Sequence, residues 1–278
     1  MVGQKKFIVI FKYLFLIVAA MITLIPIFLV VIGGLKSLAQ LRNSFLALPN
    51  PVVWQNYIDV LSPKRSTFFL NLLNSVIVMC FTVVLQLIVS CMAGYALSRL
   101  QFKGRELLYN YFLIGLLFPT AVAILPLYIE LKNMRLLDNY FGVILPQVAF
   151  GMPWNIMLTR SFFMQIPKEV EESAIIDGCS SFRFFIQFII PLSTPILATI
   201  AVLAMVGSWN NFFLPLIVFG KEKLYTLPMG VMQFQQQYLF SYNLVLTYIT
   251  LAMIPVIFVY IITQKYIIAG LTGGAVKG

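Results

Sequence analysis

Nine carboxylates, two places where tryptophan stands beside amide side chains, and a run of glutamines are the groups here that could react with or recognise something. The carboxylates are Asp59, Glu106, Glu130, Asp138, Glu169, Glu171, Glu172, Asp177 and Glu222, and four of them crowd into the segment 166–178. Histidine is absent, which removes the commonest general base and the commonest metal ligand. No catalytic triad or metal site assembles from what is left. No G-x-x-x-x-G-K-[ST] phosphate loop occurs either, so the chain is not expected to hydrolyse ATP by that route. Trp154 with Asn155, and Trp209 with Asn210, Asn211 and Phe212, offer amides beside aromatic faces, the chemistry a sugar site needs. The same residue types serve as helix–helix glue or as anchors at the membrane interface, and both readings stay open. Gln233, Gln235, Gln236 and Gln237 are a candidate surface for an outside partner.

The elements that must carry these groups are set by composition. Apolar residues make up 61% of the 278 positions and charged residues 10%. Soluble domains have about 25% charged residues, so this chain could not cover a water-facing surface and reads as a polytopic, all-α membrane protein. Six spans of about 20 residues fit the apolar runs, at about 11–32, 75–97, 108–129, 141–159, 190–219 and 244–263. The first follows Lys5 and Lys6, is too long for a signal-peptide core, and reads as an uncleaved span. Prolines 26, 119, 126, 146, 153, 195, 215 and 255 fall in these runs, where bends are expected. Cys80 and Cys91 are about 16 Å apart along a helix, too far for a disulfide.

All nine acids lie in connections or at span edges, so a carboxylate relay for ion coupling is not expected. With the amino terminus inside, the inner connections carry eleven Lys and Arg against eight outside, the bias that fixes orientation. A net charge of +10 on such a chain points to loops meeting anionic headgroups, not to nucleic acid. No repeat or composition shift marks a second domain, and residues 1–278 read as one.

One inner connection, about 160–191, is unusual. Pro167 suits a helix start, Glu169, Glu171 and Glu172 suit its positive end, and Gly178 suits a stop at positive φ. Ser180 then caps a second helix carrying Phe182, Phe184, Phe185 and Phe188 towards Pro191. Ser173 and Ala174 share a face with Val170 and Asp177, open to another surface or to the chain's own spans.

The spacing Glu172-Ser173-Ala174, three residues, Gly178, nine residues, then Phe188-Ile189-Ile190-Pro191 resembles the EAA loop of ABC importer permeases, E-A-A, x3, G, x9, I-x-L-P. Ser173, Phe188 and Ile190 depart from that pattern conservatively. Gly94-Tyr95-Ala96-Leu97-Ser98-Arg99 with Lys103-Gly104, Trp209-Asn210-Asn211-Phe212 with Pro215, and the tail 270–278 resemble the carbohydrate-uptake branch, in particular the shorter six-span permease of a maltose-type pair.

The resemblance implies a heteromeric assembly in a prokaryotic cell membrane, with both termini cytoplasmic. Its parts are a second related permease, two cytosolic ABC ATPase subunits and an extracellular sugar-binding protein. Glu171, Glu172, Ser173, Ala174, Asp177, Gly178 and Pro191 would couple the chain to the ATPase, and the tail would reach towards it. ATP and Mg would be used by that partner, with no cofactor bound by this chain. Sugar import is the expected function, an oligosaccharide first. The rivals are a glycerol phosphate or other small-solute permease and an ion-coupled secondary transporter.

Overall fold

The computed structural model describes residues 2–234 and 241–273. Gln235, Gln236, Gln237 and tail residues 274–278 lie outside the described residues. In chain order the helices are α1 (Val2–Gly34), α2 (Leu38–Asn43), α3 (Gln55–Leu61), α4 (Phe68–Arg99), α5 (Arg105–Ile114), α6 (Thr120–Asn133) and α7 (Phe141–Phe163). After these come α8 (Lys168–Ile176), α9 (Ser181–Phe184), α10 (Ile190–Leu192), α11 (Thr194–Trp209), α12 (Phe213–Val218) and α13 (Tyr242–Gly273). A π-helical turn at Phe185–Ile189 joins α9 to α10. Helices are what long apolar runs must form where no water reaches the backbone.

Among the described residues, four helices are continuous and apolar enough to span a bilayer: α1, α4, α7 and α13. Two further candidate spans are bent pairs, along the proline-bearing runs at about 108–129 and 190–219 where bends are expected. The first breaks by 103° between Leu117 and Thr120. Proline disfavours the helical conformation in the residue before it, and Phe118 is indeed extended at φ −87°, ψ 114°, with Pro119 extended after it. The second breaks by 77° at Ser193, between α10 and α11. It breaks again after Trp209, where Asn210 caps α11 and α12 starts at Phe213. Prolines 26, 126, 146, 153 and 255 sit inside helices.

The chain divides into two compact units, residues 1–69 with 230–255 and residues 70–229 with 256–278. In the first, Thr247 on α13 donates its hydroxyl to Gly34 O at 3.0 Å. A Cβ on Gly34 would lie 3.0 Å from Thr247 Cα, so glycine permits the approach. Lys36, only 1% exposed, donates to the carbonyls of Ser44 (3.1 Å) and Phe45 (2.8 Å) and fixes the turn after α1. Asn56 ties α3 to that turn by donating to Gly34 O and Lys36 O. The most apolar stretch of α1 is almost wholly exposed, a surface that belongs in lipid or against another membrane chain.

Two cores among the described residues lie in the second unit. One gathers Val78 and Leu97 of α4, Ile144, Met152 and Ile156 of α7, and Leu214 and Val218 of α12. The other gathers Cys91 and Tyr95 of α4, Phe163, Ala174 of α8, and Phe184, Phe185 and Ile189.

Candidate functional site

Helix α8 forms as local chemistry dictates. Pro167 precedes its first residue, Glu169 and Glu171 occupy the first turn, and Gly178 follows its end at φ +76°. That φ lies in the left-handed region, where glycine carries no steric penalty. Cys179 N donates to Ala174 O at 2.9 Å and Gly178 N to Ile175 O at 2.9 Å, which satisfies carbonyls the helix end leaves free. Ser180 then caps α9, its hydroxyl accepting from Arg183 N at 3.4 Å.

The two sides of α8 differ. Ala174, 4% exposed, is packed into the second core, so the small face meets the chain's own helices. Ser173 is exposed and its hydroxyl donates to Glu169 O at 2.7 Å. Glu172, Asp177, Ile175 and Ile176 point outward, with Ile176 85% exposed. Two isoleucines are thus exposed beside carboxylates, on a helix too polar and short to enter a bilayer. Pro191 is exposed and stands in α10, beyond the π turn.

Below α8 the end of α4 makes a socket. Tyr95 donates its hydroxyl to Ser181 O at 3.0 Å and its ring lies 4.9 Å from that of Phe185. Arg99 Nη1 reaches Glu171 Oε2 at 3.2 Å, while Nη2 donates to Phe163 O and Ile166 O. Arg160 of α7 donates Nε to Leu97 O at 3.0 Å, pairs with Glu106 at 2.6 Å, and covers the Tyr109 ring at 3.9 Å.

A line of uncharged polar residues runs along α4 at helical spacing: Asn71, Asn74, Ser75, Thr82, Gln86 and Ser90, all buried. Asn74 donates to Lys223 O and Tyr225 O and accepts from Tyr140 Oη at 2.7 Å. Thr82 donates to Gln147 Oε1, Gln86 Nε2 donates to Gln147 O at 2.8 Å, and Asn155 donates to Gln86 Oε1 at 3.0 Å. Thr159 donates to Ser90 O at 3.1 Å. Interhelical bonds of this kind are worth about 0.6 kcal/mol each in a membrane, so the series favours α4–α7 pairing without freezing it.

Beside this network opens a cavity of about 560 Å³, a size that suits a small organic ligand. Its wall includes Thr82, Gln86, Trp154, Asn155, Asn210, Asn211 and Phe212, and among the described residues no charged side chain lines it. Five of the six aromatic and amide residues singled out in the sequence thus share one cavity; Trp209 is buried and does not line it. Their chemistry divides. Asn155 is buried in the α4–α7 network, whereas Trp154 and Asn210 are exposed. Thr82, Gln86 and Gln147 are lining residues missed in the sequence reading, and their i, i+4 spacing on α4 was the signal that could have found the first two.

Gln233 is engaged within the chain: its Oε1 accepts from Thr67 N at 2.9 Å and its Nε2 donates to Gly230 O at 2.7 Å. Elsewhere, Asp138, at φ +54°, accepts from Gly220 N at 2.8 Å and Lys221 N at 3.2 Å, with Lys221 Nζ at 3.5 Å. The Gly220 bond first, then Lys221, holds the Asp138 carboxyl below its ordinary pKa. A depressed folded pKa stabilises the fold above the unfolded value and ceases to do so as pH falls through the folded one. Thermal unfolding of Asp138→Asn in detergent should therefore lose part of the wild type's dependence on pH below about 4. Identical acid profiles would contradict this role.

Comparison with known proteins follows the same lines. Residues 86–273 match the family described as the binding-protein-dependent transport system inner membrane component. A probable ABC transporter permease protein, YurM of Bacillus subtilis (strain 168), is 34% identical over 269 residues, covering 97% of this chain and 87% of its own length. The arabinooligosaccharides transport system permease protein AraQ of the same organism is 34% identical over 268 residues, 95% of this chain and 94% of its own. Among solved structures, a chain of a bacterial ABC transporter involved in the import of the acidic polysaccharide alginate superposes with a TM-score of 0.82 at 27% identity, covering 95% of this chain and 97% of that one. With the bent spans, the helix after Ile166 and the matched residues 86–273, the chain belongs to the binding-protein-dependent transport family as a membrane-embedded permease of an ABC importer.

Proposed function

We propose that this chain is the shorter, six-span permease of an oligosaccharide importer, working as one permease domain beside a second, related permease. Two cytosolic ATPase subunits dock on the two coupling loops, and an extracellular binding protein delivers the sugar. The single observation that carries this reading is α8: a short helix held from behind by Ala174 and Arg99, presenting Ile175, Ile176, Glu172 and Asp177 outward. The names of the relatives that handle arabinooligosaccharides and alginate support a carbohydrate.

In this reading both termini face the cytoplasm of a prokaryotic cell, as the eleven basic residues of the inner connections favour. ATP and Mg are bound by the partner, and this chain carries no chemistry of its own. Closure of the ATPases displaces α8 as a rigid body, and the spans alternate between facing out and facing in. Gln233 and its neighbours 235–237 are offered as the binding-protein contact, and residues 270–278 as a second contact to the ATPases.

The cavity suits a neutral sugar better than a phosphate ester, because its wall holds amides and an indole but no cation. An ion-coupled transporter is not favoured, since no acid lies mid-span. Trp154 is the cavity residue best placed to stack on a pyranose, being exposed and free of the α4–α7 network. In the complete complex, reconstituted with its binding protein, Trp154→Ala should lower sugar uptake about tenfold, which corresponds to about 1.4 kcal/mol, with the complex still assembled. Unchanged uptake would place the sugar path elsewhere.

A further inference from the structure

We propose that Arg99 is the positioning residue that couples α8 to the sugar path, by locking the coupling segment to the end of α4. The inference rests on the reading of α8 as the ATPase-docking helix and goes beyond it, because that reading leaves open which span receives the displacement.

Three observations converge on Arg99. Its side chain is 5% exposed, yet it lies at the last residue of a 32-residue helix, where a long basic side chain would ordinarily snorkel into water. Its guanidinium spends both terminal nitrogens on the coupling segment: Nη1 on Glu171 within α8, Nη2 on the carbonyls of Phe163 and Ile166 in the turn leading to it. One planar fork thus fixes both the start of the connection and the first turn of α8, which a lysine's single ammonium cannot do with the same geometry. The third observation is one turn back on the same face, where Tyr95 holds Ser181 O on the far side of α8. Residues before and after α8 are therefore both tied to α4.

Helix α4 is unbroken and free of proline from Phe68 to Arg99. From Arg99 to Gln86 and Thr82 in the cavity wall is about 20–25 Å along one rod. A displacement of α8 reaches α4 through Arg99 and Tyr95, and α4 carries Gln86 and Thr82 with it. Glu171 is then a group that faces its own chain, and Glu172, Asp177, Ile175 and Ile176 remain for the ATPase.

The test uses the whole complex in proteoliposomes with its binding protein, and reads sugar transported per ATP hydrolysed, normalised to assembled complex. A merely structural role would lower the amount of complex and leave this ratio alone. Arg99→Gln should lower the ratio at least fivefold while ATP hydrolysis continues, with Arg99→Lys intermediate. Glu171→Ala placed on Arg99→Gln should add nothing further. A wild-type ratio in Arg99→Gln, or an additive loss in the double variant, would overturn the proposal. If Arg99→Gln fails to assemble, Arg99→Lys carries the test, and a wild-type ratio there overturns it equally. A photo-crosslinking side chain at position 176 separates the two levels. Failure to crosslink to the ATPase in the otherwise wild-type complex removes the docking reading itself. Crosslinking together with an unchanged ratio in the Arg99 variants removes only the role of Arg99.

Discussion

Replacing Gly178 by valine should cut sugar uptake roughly tenfold while the protein still reaches the membrane and its ATPase partner still turns over. The reason is backbone conformation. Gly178 holds φ +76°, and nothing lies within 4 Å of where its Cβ would be, so a side chain meets no clash there. What it meets is the left-handed penalty, about 1–2 kcal/mol for an L-residue and most severe for a β-branched one. Relief requires the chain to leave α8 in another direction, which undoes the bonds from Gly178 N to Ile175 O and from Cys179 N to Ala174 O. Ala174 then loses its seat among Cys91, Tyr95 and Phe185. The substitution series separates this cause from a steric one. Asparagine tolerates positive φ, so Gly178→Asn should retain most uptake, with alanine and then valine progressively worse. Equal losses in all three would mean that the ATPase surface needs the space itself. The measurement is binding-protein-dependent uptake set against ATP hydrolysis in the same vesicles.

The second large effect is expected at Gly94, where α4 packs tightly against α7. A Cβ at Gly94 would lie 2.7 Å from Thr159 Cβ and 3.2 Å from Arg160 N. The obstruction is a helix backbone and a side chain that is itself bonded to Ser90 O at 3.1 Å and to Asn155 O at 2.9 Å. Neither can move aside cheaply. Gly94→Val must separate the two helices, at the cost of overpacking, about 1–3 kcal/mol or more. It would also weaken the Thr82–Gln147 and Gln86–Asn155 bonds further along the same seam. The expected result is a clear fall in the detergent unfolding temperature and in the yield of folded chain. Gly94→Ala should show a smaller fall of the same kind. A Gly94→Val protein as stable as wild type would mean that α4 and α7 do not pack as described.

What was legible in the sequence, and what was not, divides by range. The coupling segment was legible because its punctuation is local: Pro167 before the helix, Gly178 after it and Ser180 capping the next are each backbone requirements of one or two residues. Helical class and membrane embedding followed from composition alone. The break at Pro119 was half legible. Proline at that position signals a bend, but how far a span turns depends on what refills its lost backbone bonds, and the residue alone does not give a 103° break. The second break, at Ser193, has no proline at its pivot and a proline two residues beyond.

Pairings across long separations were not legible. Arg99 and Glu171 are 72 positions apart, and Gln86 and Asn155 are 69 apart. Taken singly, Glu171 reads as a contact for a partner and Asn155 as a sugar ligand or helix glue. The polar line on α4 is a different case. Its helical period is present in the sequence, but uncharged amides and hydroxyls barely disturb an apolar average.

The central claim is that this permease moves sugar only when a separate ATPase drives it. The most direct measurement is to purify the tagged chain from its native membranes in mild detergent, identify what accompanies it, and reconstitute that assembly in vesicles. The expected result is recovery of an ABC ATPase and a second permease, and oligosaccharide uptake that requires both ATP and the binding protein. A lone chain that transports with only an ion gradient across the vesicle would contradict it.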